Sequence, residues 1–469
     1  MLEMRRAQLS FGDGLIADEV DDLREAWMQH ADLVVDDDEI VTTVYEALAK
    51  RHPKSRTRGR LGVPAETVLR LLILKHVRNW SYVVLEREVR ANLVYRDFTR
   101  VGAAKTPDAK TMGRWGLALG PDVVKQIHDR MVKIAQEQRV MQGRRMRVDT
   151  TVVETNIHYP TDSSLLGDGV RVLTRTMAKI TAIAGAAGAT LRDRSRSVKL
   201  RVLEIARAAR GKGPPNQERL KLAYGKLLDA AGRVVGQAKR FSREIADGVK
   251  RSTNALRQLV LEGLRHDLDT MMPRLRQVMT QTKARIFCGD TRSEGKILSL
   301  FEPSTEVIRK GKAGKPNEFG KMVKLQEAEN QIIVDYDVYD RRPSDSELLI
   351  AAIEIHQAKL GRVPHLVAAD AAFYSFKNEA AAKRMGVKRV CIPNRATKSA
   401  ERKREQKKRW FRSGQKWRTG CEGRISVIKR RHGLNRCRYK GDAGMKRWVG
   451  LGVIADNLVT IGNAMKPAK

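Results

Sequence analysis

The feature that most constrains this chain is a short apolar run with one carboxylate in its middle. Residues 145–153 are rich in β-branched side chains and are apolar at both odd and even positions, which is typical of a buried strand. Asp149 lies inside this run. Because an ionised, unpaired carboxylate is costly in such a strand, we interpret Asp149 as a site residue.

Further strand-like and helix-like segments follow beyond residue 283. Strands are predicted at residues 284–288, 296–300, 319–325, 331–338, 365–370 and 389–393, and helices at 344–360, 375–385 and 445–465. The strand at 365–370 ends in Asp370. This order predicts an α/β core in which a mixed sheet carries helices on its faces. In such a sheet Asp149 and Asp370 would lie on neighbouring strands.

The third candidate carboxylate is Glu422. If its segment is helical, the spacing of the charged residues around Glu422 is informative. Arg418, Glu422 and Lys429 then fall on one stripe, so that a carboxylate lies between two cations. This arrangement suits a site where the carboxylate takes a metal ion and the bases take phosphate oxygens. The alternative is a solvated basic helix with one incidental glutamate.

Three carboxylates at one edge of a sheet would hold two divalent cations. We therefore predict that Asp149, Asp370 and Glu422 bind two Mg²⁺ (or Mn²⁺) ions, with a substrate phosphate completing the shell. Glu154, five residues after Asp149, could be a fourth carboxylate of the site, although a structural role is the expectation. Glu401 and Glu405 could replace Glu422 as the third ligand, although they lie in a run of Lys and Arg without apolar residues at helical spacing.

The overall charge indicates a polyanionic partner. The 469 residues include 91 Lys and Arg against 54 Asp and Glu, a net charge of +37. Nucleic acid is the favoured partner and an anionic membrane surface is the rival. No long apolar run predicts a membrane span, and four scattered cysteines support neither a zinc site nor a disulfide framework. A cytoplasmic location, associated with the bacterial nucleoid, is expected.

Two segments carry most of the positive charge. Residues 171–283, with 25 Lys and Arg against 9 Asp and Glu, are predicted to be a helical insertion that contacts phosphates. Residues 395–418 carry 11 Lys and Arg against 2 Glu. Aromatic residues interleave with this second run and could stack on bases or pack in the core. The predicted phosphate- or DNA-binding side chains are Arg418, Lys429, Arg424, Lys416, Trp417 and Trp410.

The N-terminal part differs in character. Residues 1–50 contain 13 Asp and Glu against 4 Lys and Arg. We expect a solvated face with a flexible end, the alternative being an acidic segment that docks on a basic surface of its own or a sister chain. From residue 61 onward, short helices with tight turns at Pro64, Ser81 and Asn92 predict a helical DNA-binding domain of the helix-turn-helix kind.

Several of these segments together resemble a known family. Residues 69–82, 92–98 and 106–111 are similar to the N-terminal helical domain of DDE transposases of bacterial insertion sequences. The segments around Asp149 (148–156) and Asp370 (367–374) resemble the family's two aspartate strands. Arg418, Glu422 and Lys429 match its Tyr-x2-Arg-x3-Glu-x6-Lys pattern, but Gln415 replaces the tyrosine. The likeness is greatest to the ISNCY-type group, in the superfamily of insertion sequences four and five.

The resemblance spans residues 60–465 and implies a ribonuclease-H-like core. The expected segments are an acidic N-terminal segment (1–60), a helical DNA-binding domain (61–143), the first part of the core (144–165), a basic helical insertion (166–283) and the remainder of the core (284–465). The implied activity is metal-dependent phosphodiester hydrolysis and strand transfer on transposon ends and target double-stranded DNA, by a homodimer or higher synaptic oligomer.

Two other functional classes stay open. One is a catalytically silent, transposase-derived DNA-binding protein. The other is a recombinase of another class, for which Tyr439 would be the nucleophile, although the required His-x-x-Arg element is not matched at His432. His158 and His432 are expected to be exposed surface residues.

Overall fold

A computed structural model describes residues 1–6, 8, 10–51, 53–185, 187–211, 213–309 and 316–465. The chain divides into two compact units. The first consists of Met1–Asn156 and Val307–Lys469, and the second of Ile157–Glu306. Within the described ranges, every helix is too short or too polar to cross a lipid bilayer.

The first part of unit 1 is helical, and local capping explains where its helices begin. Ser81 accepts a hydrogen bond from the backbone N–H of Val84 at 3.2 Å, and Asp108 accepts one from Thr111 at 2.9 Å. The helices are α1 (Phe11–Val20), α2 (Ala26–Val35), α3 (Asp38–Arg51), α4 (Ala65–Val77), α5 (Tyr82–Ala91), α6 (Leu93–Phe98) and α7 (Ala109–Glu137).

Helix α7 is kinked in its middle. Gly120 has φ 68° and ψ 168°, a conformation that favours glycine, and Pro121 follows it. Because proline suits the first turn of a helix, the second half of α7 restarts there.

Within the acidic segment, helices α2 and α3 pack into the core. The expectation of a solvated face with a flexible end is therefore wrong for these two helices. Trp27, Val34 and Ile40 are buried in the same core cluster as α4 and α7. The Arg70 guanidinium lies 2.7 Å from both Asp32 and Asp36. These aspartates neutralise Arg70 of α4 and Arg100 after α6, so the segment docks on a basic surface of its own chain, as the alternative proposed.

A mixed sheet forms the second part of unit 1. Among the described residues it has six strands, in the order β2–β3–β1–β5–β6 with β4 paired to β3. Strand β1 is central; it pairs antiparallel with β3 and parallel with β5. The strands are β1 (Arg145–Glu154), β2 (Glu306–Arg309), β3 (Asn317–Glu327), β4 (Ile333–Val338), β5 (Leu366–Ala369) and β6 (Arg389–Cys391).

Helices follow these strands in the predicted order. Ser344 and Glu347 form a capping box where the helix predicted at 344–360 begins, and Gly361 ends that helix with φ 68°. The helices are α12 (Leu348–Leu360), α13 (Phe376–Arg384), α14 (Ala400–Lys407), α15 (Arg409–Arg431) and α16 (Gly441–Ala464).

The two faces of the sheet pack against different helices. Met146, Val148 and Val152 of β1 share a core cluster with Leu349 and Ile353 of α12. The alternate residue Val153 shares another cluster with residues of α15 and α16. Since side chains alternate along a strand, the odd-numbered residues of β1 face α15 and α16.

Unit 2 is a helical domain with its own core. Its helices are α8 (Asp162–Ala184), α9 (Ser195–Ala208), α10 (Pro214–Ala246) and α11 (Ala255–Cys288), and their apolar faces form one cluster. The unit runs from Ile157 to Glu306, whereas residues 166–283 were predicted.

Two predicted strands next to this insertion are wrong. Residues 284–288 are the last turns of α11, which ends at Gly289 with φ 73°. Residues 296–300 form no strand. A short apolar run cannot be assigned to strand or helix by periodicity alone, and here the long helix before it continues through.

Candidate active site

Asp149 and Asp370 lie side by side in the sheet. The last registered pair of the parallel strands β1 and β5 is Val148 with Ala369, and each aspartate directly follows its member of that pair. Asp370 keeps an extended backbone (φ −69°, ψ 163°), so the alternation of side chains continues into it. Both aspartates therefore belong to the sheet face that α15 covers.

Arg418 of α15 contacts two of the three predicted carboxylates. Its Nη1 lies 3.8 Å from Oδ2 of Asp149, and its Nη2 donates to Oε1 of Glu422 at 2.9 Å. The Arg418 and Asp149 side chains are 14% and 15% exposed, whereas Glu422 is 59% exposed. The helix thus brings Glu422 and the β1 carboxylate to the same guanidinium.

A buried ion pair fixes α15 to the sheet beneath this site. Arg147 of β1 lies 2.5 Å from Glu327 of β3, and both side chains are almost fully buried. Arg147 also donates to the backbone carbonyl of Trp417 at 2.5 Å. A Cβ on Gly420 would lie 2.5 Å from the Arg147 guanidinium, so glycine permits this close approach. Sequence reasoning missed Arg147 and Glu327, because nothing local distinguishes them.

Cys421 completes the buried layer next to Asp149 and Glu327. Burial raises the pKa of its thiol well above the usual range, and the Glu327 and Asp149 charges add to this effect. The thiol therefore stays protonated and is a packing residue.

Arg424, a predicted DNA-binding residue, is engaged elsewhere. Its side chain is 10% exposed, its Nη1 donates to Asp456 of α16 at 2.7 Å, and its Nη2 donates to Gln331 at 2.5 Å. These bonds give Arg424 a structural role, and a contact with DNA stays a prediction.

The two predicted tryptophans pack partly into the protein. Trp410 and Trp417 lie against a small cluster that contains Phe411 and Cys391. The guanidinium of Arg145 lies 4.7 Å from the ring centroid of Trp417. Gln415, which replaces the family's tyrosine, donates to the backbone carbonyl of Cys391 at 2.6 Å and so anchors α15 to β6.

The remaining predicted residues differ in exposure. Lys416 is exposed and Lys429 is half-buried, and their phosphate contacts stay predictions. The alternative ligand Glu405 is paired with Arg402 at 2.7 Å. His432 was expected at the surface and is buried; burial lowers its pKa to about 4.

Tyr439 is unsuited to nucleophilic attack. It is packed among Tyr82, His76 and Trp448, and its hydroxyl lies 2.9 Å from that of Tyr82. Burial raises its pKa well above the usual range. A phenol held in this way cannot serve as the nucleophile of a recombinase.

The donor chemistry of the site suits a hard divalent cation, because Asp149, Asp370 and Glu422 offer carboxylate oxygens. Across the described parts of the chain, however, no three His, Cys, Asp or Glu side chains lie close enough together to hold a metal ion. The Arg418 guanidinium occupies the space between Asp149 and Glu422.

Two segments of the chain match models of known families. Residues 21–116 match a transposase domain (DUF772), and residues 377–461 match a transposase DDE domain. These matches support a DDE transposase. The first match begins within the acidic segment, which the sequence resemblance did not cover. The second includes Arg418 and Glu422 and excludes both aspartates. No curated protein and no solved structure matches the chain.

Proposed function

We propose that this chain is a transposase that cleaves and joins DNA strands through Asp149, Asp370 and Glu422. The observation that carries the proposal is the convergence of Asp149 and Glu422 on Arg418, with Asp370 next to Asp149 at the end of the parallel strand pair. The mixed sheet with helices on both faces supports a ribonuclease-H-like core. The two matches to transposase domains support the same reaction class.

Asp149, Asp370 and Glu422 would hold Mg²⁺ or Mn²⁺. When bound, two such ions supply an activated water or 3′-hydroxyl and stabilise the leaving oxygen of a phosphodiester. The chain would supply the scaffold, because Arg147 and Glu327 hold α15 against β1. Arg418 and Lys429 of α15 would bind phosphates beside the scissile bond. A homodimer or higher synaptic oligomer would bring two transposon ends together.

Cleavage of a labelled transposon end in Mg²⁺, beside a binding titration, tests the proposal. Glu422→Gln keeps the size of the side chain and removes its charge, so cleavage should vanish while DNA binding survives. Glu401→Gln, an exposed glutamate of the neighbouring helix, is the matched control and should cleave at the wild-type rate. Wild-type cleavage by Glu422→Gln would place the third ligand elsewhere.

The base positions should behave differently from the carboxylates. Arg418→Ala and Lys429→Ala should impair cleavage and leave residual activity, because they position phosphates. Arg418→Lys should not restore full activity, since a lysine ammonium cannot form the paired hydrogen bonds that a guanidinium donates to a phosphate.

The silent DNA-binding protein is the second candidate function. The observation that favours it is the Arg418 guanidinium, which lies between Asp149 and Glu422, where a metal ion would have to bind. The wild-type protein distinguishes the two candidates. A transposase cleaves labelled ends in Mg²⁺ and loses this activity in EDTA. A silent protein binds the ends equally under both conditions and cleaves in neither.

A further inference from the structure

Two arginines near the site hold carboxylates in different ways. Arg147 donates hydrogen bonds from Nε and Nη2 to Glu327 and from Nη1 to the backbone carbonyl of Trp417, so all three of its guanidinium nitrogens are hydrogen-bonded. Arg418 donates one hydrogen bond, to Glu422, and contacts Asp149 only at 3.8 Å. Its Nε and Nη1 are buried and have no hydrogen-bond partner among the described residues. Arg418 is therefore the weakly held guanidinium of the pair.

The position of Arg418 matters because of its two neighbours. Asp149 and Glu422 are the carboxylates that the proposed function assigns to the metal. A guanidinium between them neutralises both, and a divalent cation at the same place would be repelled by it. The 14% exposure of the Arg418 side chain limits screening by water, which makes this repulsion effective.

We propose that Arg418 and a divalent cation compete for Asp149 and Glu422, an inference that rests on the proposed function. Loading of the cation displaces the guanidinium from the carboxylates. Arg418 then becomes available to a DNA phosphate from the same stripe of α15 that carries Lys429. One side chain thereby couples the arrival of the metal to the capture of the substrate phosphate.

The test measures Mn²⁺ binding to the full-length protein by electron paramagnetic resonance of the free ion, without DNA. Arg418→Gln removes the competing charge and should tighten Mn²⁺ binding by about tenfold. Arg418→Lys keeps the charge and should bind within about twofold of the wild type. The matched control is Arg412→Gln, an exposed arginine on the same helix, which should leave the affinity unchanged.

Equal or weaker Mn²⁺ binding by Arg418→Gln overturns the competition, as does equal tightening by Arg418→Lys. Thermal melts establish that each variant is folded, and Arg418→Met replaces the glutamine variant if that one does not fold. Asp149→Asn separates the two proposals. If it abolishes Mn²⁺ binding while Arg418→Gln changes nothing, the metal assignment stands and the competition is wrong. If it leaves Mn²⁺ binding intact, the proposed ligand set fails.

Discussion

Arg424 and Asp456 form a buried ion pair, with Nη1 2.7 Å from Oδ1, that joins α15 to α16. Arg424 lies on the helix that carries Glu422, and Asp456 is 1% exposed. His432 lies 3.6 Å from the same carboxylate oxygen. The orientation of the candidate active-site helix thus depends on a carboxylate buried in the neighbouring helix.

The first prediction concerns the pH dependence of this pair. Burial raises the pKa of Asp456 to about 7 against the opposing effect of Arg424. Between about pH 4 and pH 7 the folded chain therefore keeps a proton on Asp456 that the unfolded chain releases. The stability that Asp456 contributes is complete below about pH 4 and is lost as pH rises towards 7. Asp456→Asn cannot titrate. Its free energy of unfolding relative to the wild type should therefore increase by on the order of 1–3 kcal/mol between pH 4 and pH 7, measured by urea denaturation. A constant difference would contradict the prediction.

The second prediction is that Asp335 contributes to stability with the opposite pH dependence. It is 3% exposed and lies 2.7 Å from Lys125, 2.8 Å from Lys359 and 3.0 Å from Lys324. Burial raises the pKa of Asp335, but the three ammonium groups outweigh burial and hold the pKa well below its usual range. Its contribution is therefore present above about pH 4 and lost in acid.

Asp335→Asn should lower the free energy of unfolding at pH 7 by about 3–5 kcal/mol, because the buried Lys324 and the partly buried Lys125 and Lys359 lose their common partner. Asp337→Asn is the matched control, since Asp337 also contacts Lys324 (2.6 Å) but is 40% exposed. It should cost at most about 1 kcal/mol. Equal losses in the two variants would show that the buried network is not what stabilises this region.

Lys75 is buried among aromatic rings. Its Nζ lies 4.7 Å from the ring centroid of Trp448, 4.9 Å from that of Tyr82 and 5.1 Å from that of Tyr439. Burial, and then the charge of Arg438, lowers the pKa of Lys75 to about 7, while the ring faces attract the ammonium.

Because the folded chain binds fewer protons than the unfolded chain between pH 7 and pH 10.5, wild-type stability should rise with pH across this interval. Lys75→Met should therefore have a higher melting temperature than the wild type at pH 7, and the advantage should shrink by pH 9.5. The exposed Lys133, replaced by Met, should show no such trend. A lower melting temperature for Lys75→Met at both pH values would mean that the cation–π contacts dominate.

DNA binding should weaken steeply with salt, because the basic segments 171–283 and 395–418 are predicted to contact phosphates. In unit 2 the exposed Arg207 and Arg219 line an open groove of about 400 Å³. Replacing both with Gln should reduce the slope of log K against log salt by roughly 2, measured by fluorescence anisotropy at several salt concentrations. Arg265→Gln, whose arginine is paired with Glu262, is the control. An unchanged slope would exclude this groove from the interface.

Local interactions allowed much of the secondary structure to be predicted. The β-branched run of β1, the caps at Ser81 and Ser344 and the end of α12 at Gly361 depend on neighbours a few residues away. The pairing of β1 with β5 also followed from the order of buried segments. The same local signals failed at residues 284–288, where a short apolar run continues α11.

The roles of individual charged side chains depended on the tertiary structure. The sequence singled out Arg418 by its spacing to Glu422, but it did not predict the contacts of Arg147, Arg418 or Arg424. Arg147 forms a buried ion pair beneath the site, Arg418 contacts two candidate metal ligands, and Arg424 joins α15 to α16. The acidic N-terminal segment likewise became part of the core through partners such as Arg70. Burial and ion pairing join residues that are distant in the chain, and periodicity carries no information about those partners. The sequence alone therefore determined which residues could perform the chemistry, and the packing of helices on the sheet decided which of them meet.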